Sequence, residues 1–164
     1  MTEIRPPDTS FPLDRAFALE AVRVTEAAAI AAFSQIGRGN EHDADQAAVE
    51  AMRAAFNRLP IEGTVVIGEG ERDEAPMLFI GEKVGLGGTA VDIALDPLEG
   101  TTLTAKQMAN ALAVMAMAEP GTMLNAPDTY MDKIAIGPGY ADGLIDLDAE
   151  PAANIGAVAR AKGV

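Results

Sequence analysis

Apolar and polar positions along the chain follow two rhythms in turn, the first helical and the second extended. Residues 1–13 hold three Pro and few apolar side chains, and read as an extended N-terminal arm. From Arg15 to about Ile36 the apolar positions Phe17, Leu19, Ala21, Val22, Val24 and Ala27 through Phe33 recur at helical spacing. They cover so much of the circumference that most of the helix surface should be buried. Asp14 can cap this helix, and Gly37 and Gly39 can end it. A second helix is predicted from Asp45 to about Leu59, with Ala48, Val49, Met52, Ala55 and Phe56 on one face and Pro60 closing it.

The extended rhythm follows. Runs rich in β-branched and apolar residues predict strands at Gly63–Gly68, Met77–Val84, Val91–Leu95, Leu112–Ala118 and Lys133–Ile136. Gly85-Leu86-Gly87-Gly88 and Glu119-Pro120-Gly121-Thr122 read as turns. Over 106–118 a helix competes with the strand, because Ala and Met favour helix. The Ala-rich stretch 149–164 predicts a final helix. Two helices leading into several strands make the fold class α/β.

Composition narrows the picture. A length of 164 residues suits one domain, here residues 14–164, and 49% apolar residues argue against disorder. With 4% aromatic residues and no Trp, the core must be built from Ala, Val, Ile, Leu and Met. No apolar run approaches the roughly 20 residues that span a bilayer, and Met1 to Pro7 does not read as a signal peptide. The absence of Cys excludes disulfides and thiol catalysis and fits a cytoplasmic protein. A net charge of −13 argues against nucleic acid or an anionic membrane as partner.

Three acidic clusters each follow a break in regular structure. Asp96-Pro97-Leu98-Glu99-Gly100-Thr101-Thr102 comes after the apolar run Val91 to Leu95. Two carboxylates three residues apart suit a hard divalent cation, and Gly100 lets backbone N–H groups approach a phosphate closely. Glu69 lies in Ile67-Gly68-Glu69-Gly70-Glu71, and Asp45 follows Gly37-Arg38-Gly39-Asn40-Glu41-His42-Asp43. On the residues alone, the Asp96 cluster favours a metal over an acidic surface turn, whereas Asp45, or Asp43 two residues before it, could merely cap the second helix. Bound cations would reconcile an acidic chain with a phosphorylated ligand.

Together, these clusters resemble the lithium-sensitive, metal-dependent sugar phosphatase superfamily, and within it the class II fructose-1,6-bisphosphatases. Cyanobacterial members of that family also act on sedoheptulose-1,7-bisphosphate. The resemblance continues through Arg72-Asp73-Glu74-Ala75-Pro76-Met77-Leu78, Asn110-Ala111-Leu112-Ala113-Val114, Tyr130-Met131 and Ile136-Gly137-Pro138-Gly139, and so covers nearly all of residues 20–148. It implies a layered α-β sandwich, a mixed sheet with two N-terminal helices packed on it, and favours strand for 112–118. It also implies two or more Mg²⁺ or Mn²⁺ ions held by Asp45, Glu69, Asp96 and Glu99, with the Leu98 carbonyl facing a metal.

Catalytic roles fall by the same resemblance on Thr101, Asp45, Asp73 and Glu74, Thr101 orienting the attacking water with Asp45 behind it. Substrate contacts fall on Glu99, Gly100, Thr101 and Tyr130. The implied reaction is hydrolysis of the 1-phosphate of fructose-1,6-bisphosphate, in gluconeogenesis, by a cytoplasmic homo-oligomer. Two departures bear on substrate affinity. Glu41 and His42 stand where relatives tend to carry Lys, and Thr102 stands where several carry Arg. His42 itself reads as an exposed loop residue. The chain resembles the N-terminal half of such an enzyme, with further sugar contacts and one more acidic ligand expected from a second half. Its turnover is therefore expected to be weak. Alternatives are a metal-binding remnant or interaction subunit without turnover, and another phosphatase of the superfamily acting on an inositol phosphate.

Overall fold

The computed structural model of the protein describes residues 15–68, 78–124 and 131–164. The proposed arm at residues 1–13 and the Asp14 cap lie outside the described residues. The chain divides into two compact units, Met1–Asn125 and Ala126–Val164.

The first unit opens with two helices, α1 (Arg15–Phe33) and α2 (Glu41–Phe56). α1 ends three residues before the predicted Ile36. Bonds of the i→i+3 type, such as Gln35 N–H to the Ala32 carbonyl at 2.9 Å, tighten the chain into turns there. Gly37 and Gly39 then take φ of 73° and 75°, a conformation that ends helices. α2 starts four residues before the predicted Asp45. Asn40 is its N-cap, the Asn40 carboxamide oxygen accepting from the Asp43 N–H at 3.2 Å. His42, expected on a loop, is therefore helical.

The sheet has four strands in the order β2-β1-β3-β4: β1 (Ile61–Ile67), β2 (Lys83–Val84), β3 (Thr89–Glu99) and β4 (Leu112–Ala118). β1 runs parallel to β3, and the other two pairs are antiparallel, so the sheet is mixed. Residues 112–118 are strand, not helix. The predicted strand over 77–84 shrinks to Lys83–Val84. Residues 78–82 instead make a turn that bonds back across β1, Gly81 N–H donating to the Val65 carbonyl at 2.7 Å.

Val91, Ile93 and Leu95 project from one face of β3 into a core shared with Val24 and Ala28 of α1, and with Ala48, Val49, Met52 and Phe56 of α2. Ala113, Met115 and Met117 of β4 border this core. Among the described residues Phe56 is the one fully buried ring of this core, and Phe17 packs against it partly buried. Arg53 of α2 adds a fork to Glu82, at 2.7 and 3.2 Å, and Glu82 also accepts from the Phe79 N–H at 3.3 Å. That fork fixes the 78–82 turn to the helix layer.

In the second unit residues 133–136, predicted as strand, are exposed and irregular, with no ladder partner among the described residues. α4 (Pro151–Lys162) forms with Pro at its start and Gly163 at φ 77° closing it. Asn154 anchors its first turn by exchanging hydrogen bonds with the Asp146 backbone at 2.8 and 3.0 Å.

Phe56 is fully buried at the meeting of α2 and the sheet. Phe56→Ala should cost about 3–5 kcal/mol, read as a lower urea midpoint with little change in slope.

Candidate functional site

The acidic motif at the end of β3 is shaped by an interruption of its ladder. β3 pairs with β4 in regular register from Asp92–Ala118 to Asp96–Val114, and then shifts before Glu99–Leu112. Pro97 lies in the shift, fully buried and without an N–H to donate. The Asp96 carboxylate takes over locally, its Oδ1 accepting from the Leu98 N–H at 3.0 Å. This bond holds Asp96 at the end of the strand, half-buried, while Glu99 emerges into solvent.

Gly100 follows at φ 92°, ψ 51°, as the N-cap of a short helix, α3 (Thr101–Ala105). Left-handed backbone suits glycine, and a Cβ here would come within 2.9 Å of Leu103 Cδ1. α3 escaped the sequence reading because five residues are too few to show a helical period. Its far end is tied to the α1–α2 loop. Gly37 and Gly39 donate to the Thr104 and Ala105 carbonyls, each at 2.9 Å. α2 begins two residues after Gly39 and packs against α3. Thus the β3 end, the helix that begins with Thr101 and the helix that carries Asp45 belong to one bonded assembly.

Asp45 sits in the second turn of α2, beside the buried stripe of Ala44, Ala48 and Val49. Its Oδ1 is buried with no hydrogen-bond partner among the described residues. Burial holds its carboxyl above the ordinary range, an effect that the nearby His42 partly opposes. Glu99 is also raised, first by a side-chain hydrogen bond with Asp96, then by the Asp96 charge, and least by desolvation.

The structure therefore brings Asp96 and Glu99 together, and brings the helices of Asp45 and Thr101 into contact. It does not gather Asp45, Asp96 and Glu99 into one ligand group. Among the described residues, no three Asp, Glu or His side chains are placed to hold a metal ion. Glu69, Asp73, Glu74 and Tyr130 lie outside the described residues. The chain enters the 69–77 segment at the same end of the sheet as Asp96, since Ile67 pairs with Ala94 across the parallel β1–β3 ladder. It also returns close by, because a Cβ on Gly68 would lie 2.4 Å from the Leu78 carbonyl oxygen.

The family described as bacterial fructose-1,6-bisphosphatase, glpX-encoded, matches residues 15–164. The chain belongs to that family. It is 58% identical over 150 residues to fructose-1,6-bisphosphatase 1 class 2 of Escherichia coli K12, an alignment covering 91% of this chain and 44% of that protein. The same figures hold for fructose-1,6-bisphosphatase class 2 of Shigella flexneri. The class 2 enzyme of Haemophilus influenzae is 51% identical over 137 residues, covering 83% of this chain and 41% of its own length. The chain thus spans less than half the length of these class 2 relatives.

The sequence reading missed Asn40 as a cap, although Asn three residues before Asp43 is a recognisable helix start. It also missed the partners of Gly37 and Gly39. Those bonds reach across about 65 residues of sequence, and no local pattern announces them.

For Asp45 the sign of the pH dependence follows from its raised carboxyl. The folded state favours the protonated form, so stability is fully present below the ordinary carboxylate range. It is lost as pH rises from there through the raised value. Asp45→Asn should therefore raise the melting temperature at neutral pH, and the gain should fade near about pH 3. Melts of both chains across that range read it directly.

Proposed function

We propose that this chain carries the metal- and phosphate-binding part of a phosphatase that hydrolyses the 1-phosphate of fructose-1,6-bisphosphate. The products are fructose 6-phosphate and phosphate, in the direction of gluconeogenesis. The observation that carries this reading is the Asp96–Glu99 pair at the interrupted end of β3, in a chain of the class 2 bisphosphatase family. A layered α-β sandwich, assembly as a homo-oligomer and a cytoplasmic location go with it.

The donors fit hard divalent cations. The buried Asp45 Oδ1, unpartnered among the described residues, lacks what a cation would supply, and a cation near Glu99 would offset the Asp96 charge that raises its carboxyl. Asp45, Glu69, Asp96 and Glu99 are the proposed ligands of two or more Mg²⁺ or Mn²⁺ ions. When bound, such ions polarise the phosphate and offset charge on the leaving oxygen.

The chain's own residues do the rest. The Thr101 hydroxyl orients a water in line with the phosphorus, and Asp45 accepts the proton passed through it. The water oxygen bonds to phosphorus, the phosphorus–oxygen bond to the sugar breaks, and the sugar oxygen leaves as a hydroxyl by taking a proton from solvent, while Asp45 returns its proton to solvent. Gly100 keeps the backbone before Thr101 bare, so that phosphate oxygens can approach with Glu99 beside them. Tyr130 contacts the sugar phosphate, and Asp73 and Glu74 lie near the reacting centre.

A metal-binding part without turnover is the second reading. It rests on the same acidic groups, the Asp96–Glu99 pair and the buried Asp45 Oδ1, which can bind a cation whether or not turnover follows. One pair of measurements tests both readings. Mn²⁺ or Mg²⁺ at millimolar concentration should raise the melting temperature of the chain by binding the folded state, and Glu99→Ala should abolish the rise. Phosphate release from fructose-1,6-bisphosphate under Mn²⁺ should remain far below about 10 s⁻¹, because positioning of the sugar is worth roughly 7–11 kcal/mol of barrier. Release abolished by Glu99→Ala supports catalysis, whereas binding without release supports the second reading. No thermal shift with either ion overturns the metal site.

A further inference from the structure

The end of α3 carries a residue that its own backbone disfavours. Gln107 stands at φ 57°, in the left-handed region where a helix end usually places Gly or Asn. The bonds around it are those of a complete helix stop. The Gln107 N–H donates to the Thr104 carbonyl at 3.1 Å, and the Met108 N–H donates to the Leu103 carbonyl at 2.7 Å. Glycine would make the same two bonds with no Cβ to crowd. A strained side chain in such a place points to work done by that side chain.

Its neighbour is the α1–α2 loop. A Cβ at Gly37 would come 3.3 Å from Gln107 Oε1 and 3.4 Å from Gln107 Cβ, so the amide arm occupies the place where a side chain at position 37 would begin. The backbone is bonded at the same point. Gly37 N–H donates to the Thr104 carbonyl at 2.9 Å, so one oxygen holds both the stop of α3 and the loop. Two residues on, Gly39 N–H donates to the Ala105 carbonyl at 2.9 Å, and Asn40 then caps α2.

This joint lies between the two halves of the proposed relay. α3 begins with Thr101, directly after Glu99 and Gly100, and α2 carries Asp45 in its second turn. Gln107 itself is exposed, and acts on both helices through the loop. A loop freed to shift by about 1 Å would carry the head of α2 with it, and misplacement on that scale is enough to spoil a site.

We propose that Gln107 is a positioning residue, whose side chain presses the α1–α2 loop onto the end of α3 and so fixes Asp45 relative to Thr101 and Glu99. The role rests on the metal-binding reading of those acids. Two substitutions separate it from a contribution to stability alone. Gln107→Gly removes the arm and relieves the backbone, whereas Gln107→Ala removes the arm and keeps the strain. Gln107→Gly should therefore melt above Gln107→Ala, by about 2–4 °C. Titration calorimetry with Mn²⁺ should nevertheless show both variants binding about tenfold more weakly than the unsubstituted chain, the scale on which groups supporting metal ligands act. Without metal, the Gly37 and Gly39 amide protons should exchange several times faster in both variants. Unchanged circular dichroism confirms that each variant folds. Affinity that follows stability, kept in Gln107→Gly and lost only in Gln107→Ala, overturns the proposal. So does weaker binding with unchanged exchange at Gly37 and Gly39. An unsubstituted chain that binds no Mn²⁺ overturns the metal reading and this role with it, whereas an unsubstituted chain that binds Mn²⁺ no better than Gln107→Gly overturns the role alone.

Discussion

Where Pro97 has no N–H to give, the ladder between β3 and β4 must break, and the acidic end of the sheet is arranged around that break. A proline in an inner strand is tolerated at a bulge or at a strand end, and here it has both. The Asp96 carboxylate replaces the lost ladder bond by holding the Leu98 N–H. That turns Glu99 outward beside Asp96 and delivers the chain to Gly100 in the left-handed region. α3 can then start at Thr101, and its last carbonyls reach Gly37 and Gly39 at the foot of α2. One missing donor therefore has effects from the centre of the sheet to the beginning of the helix that carries Asp45.

The same assembly is electrostatically expensive. A half-buried Asp45 with an oxygen unsatisfied among the described residues, and a Glu99 carboxyl raised by the neighbouring Asp96, both disfavour the charged folded state. Hydrophobic contacts in the α1–α2–sheet core carry the stability, and these acids subtract from it. Costs of this kind persist when the groups have another use.

Much of the architecture was legible because its residues act over short distances. Alternation over Val91, Ile93 and Leu95 marks β3, the spacing Ala48-Val49-Met52-Phe56 marks the inner face of α2, and Pro60 closes that helix. The errors lie where a partner distant in sequence decides. Residues 78–82 satisfy a strand pattern, but they form a turn because Glu82 is claimed by Arg53 and Gly81 by Val65. α2 starts early because Asn40 caps it, and α1 stops early because the backbone tightens ahead of two glycines. Of the candidate site, the Asp96–Glu99 proximity follows from spacing at a strand end, whereas the orphaned oxygen of Asp45 depends on what packs over it.

A Cβ at position 68 would lie 2.4 Å from the Leu78 carbonyl oxygen, so the described ends on either side of residues 69–77 touch one another. One end is held by β1 and the other by the Arg53–Glu82 fork. A side chain at position 68 would have to push the Leu78 carbonyl away, and the push would pass to the fork and so to α2. The smallest residue in the chain thus keeps the helix layer and the sheet in step at the end that carries Asp96.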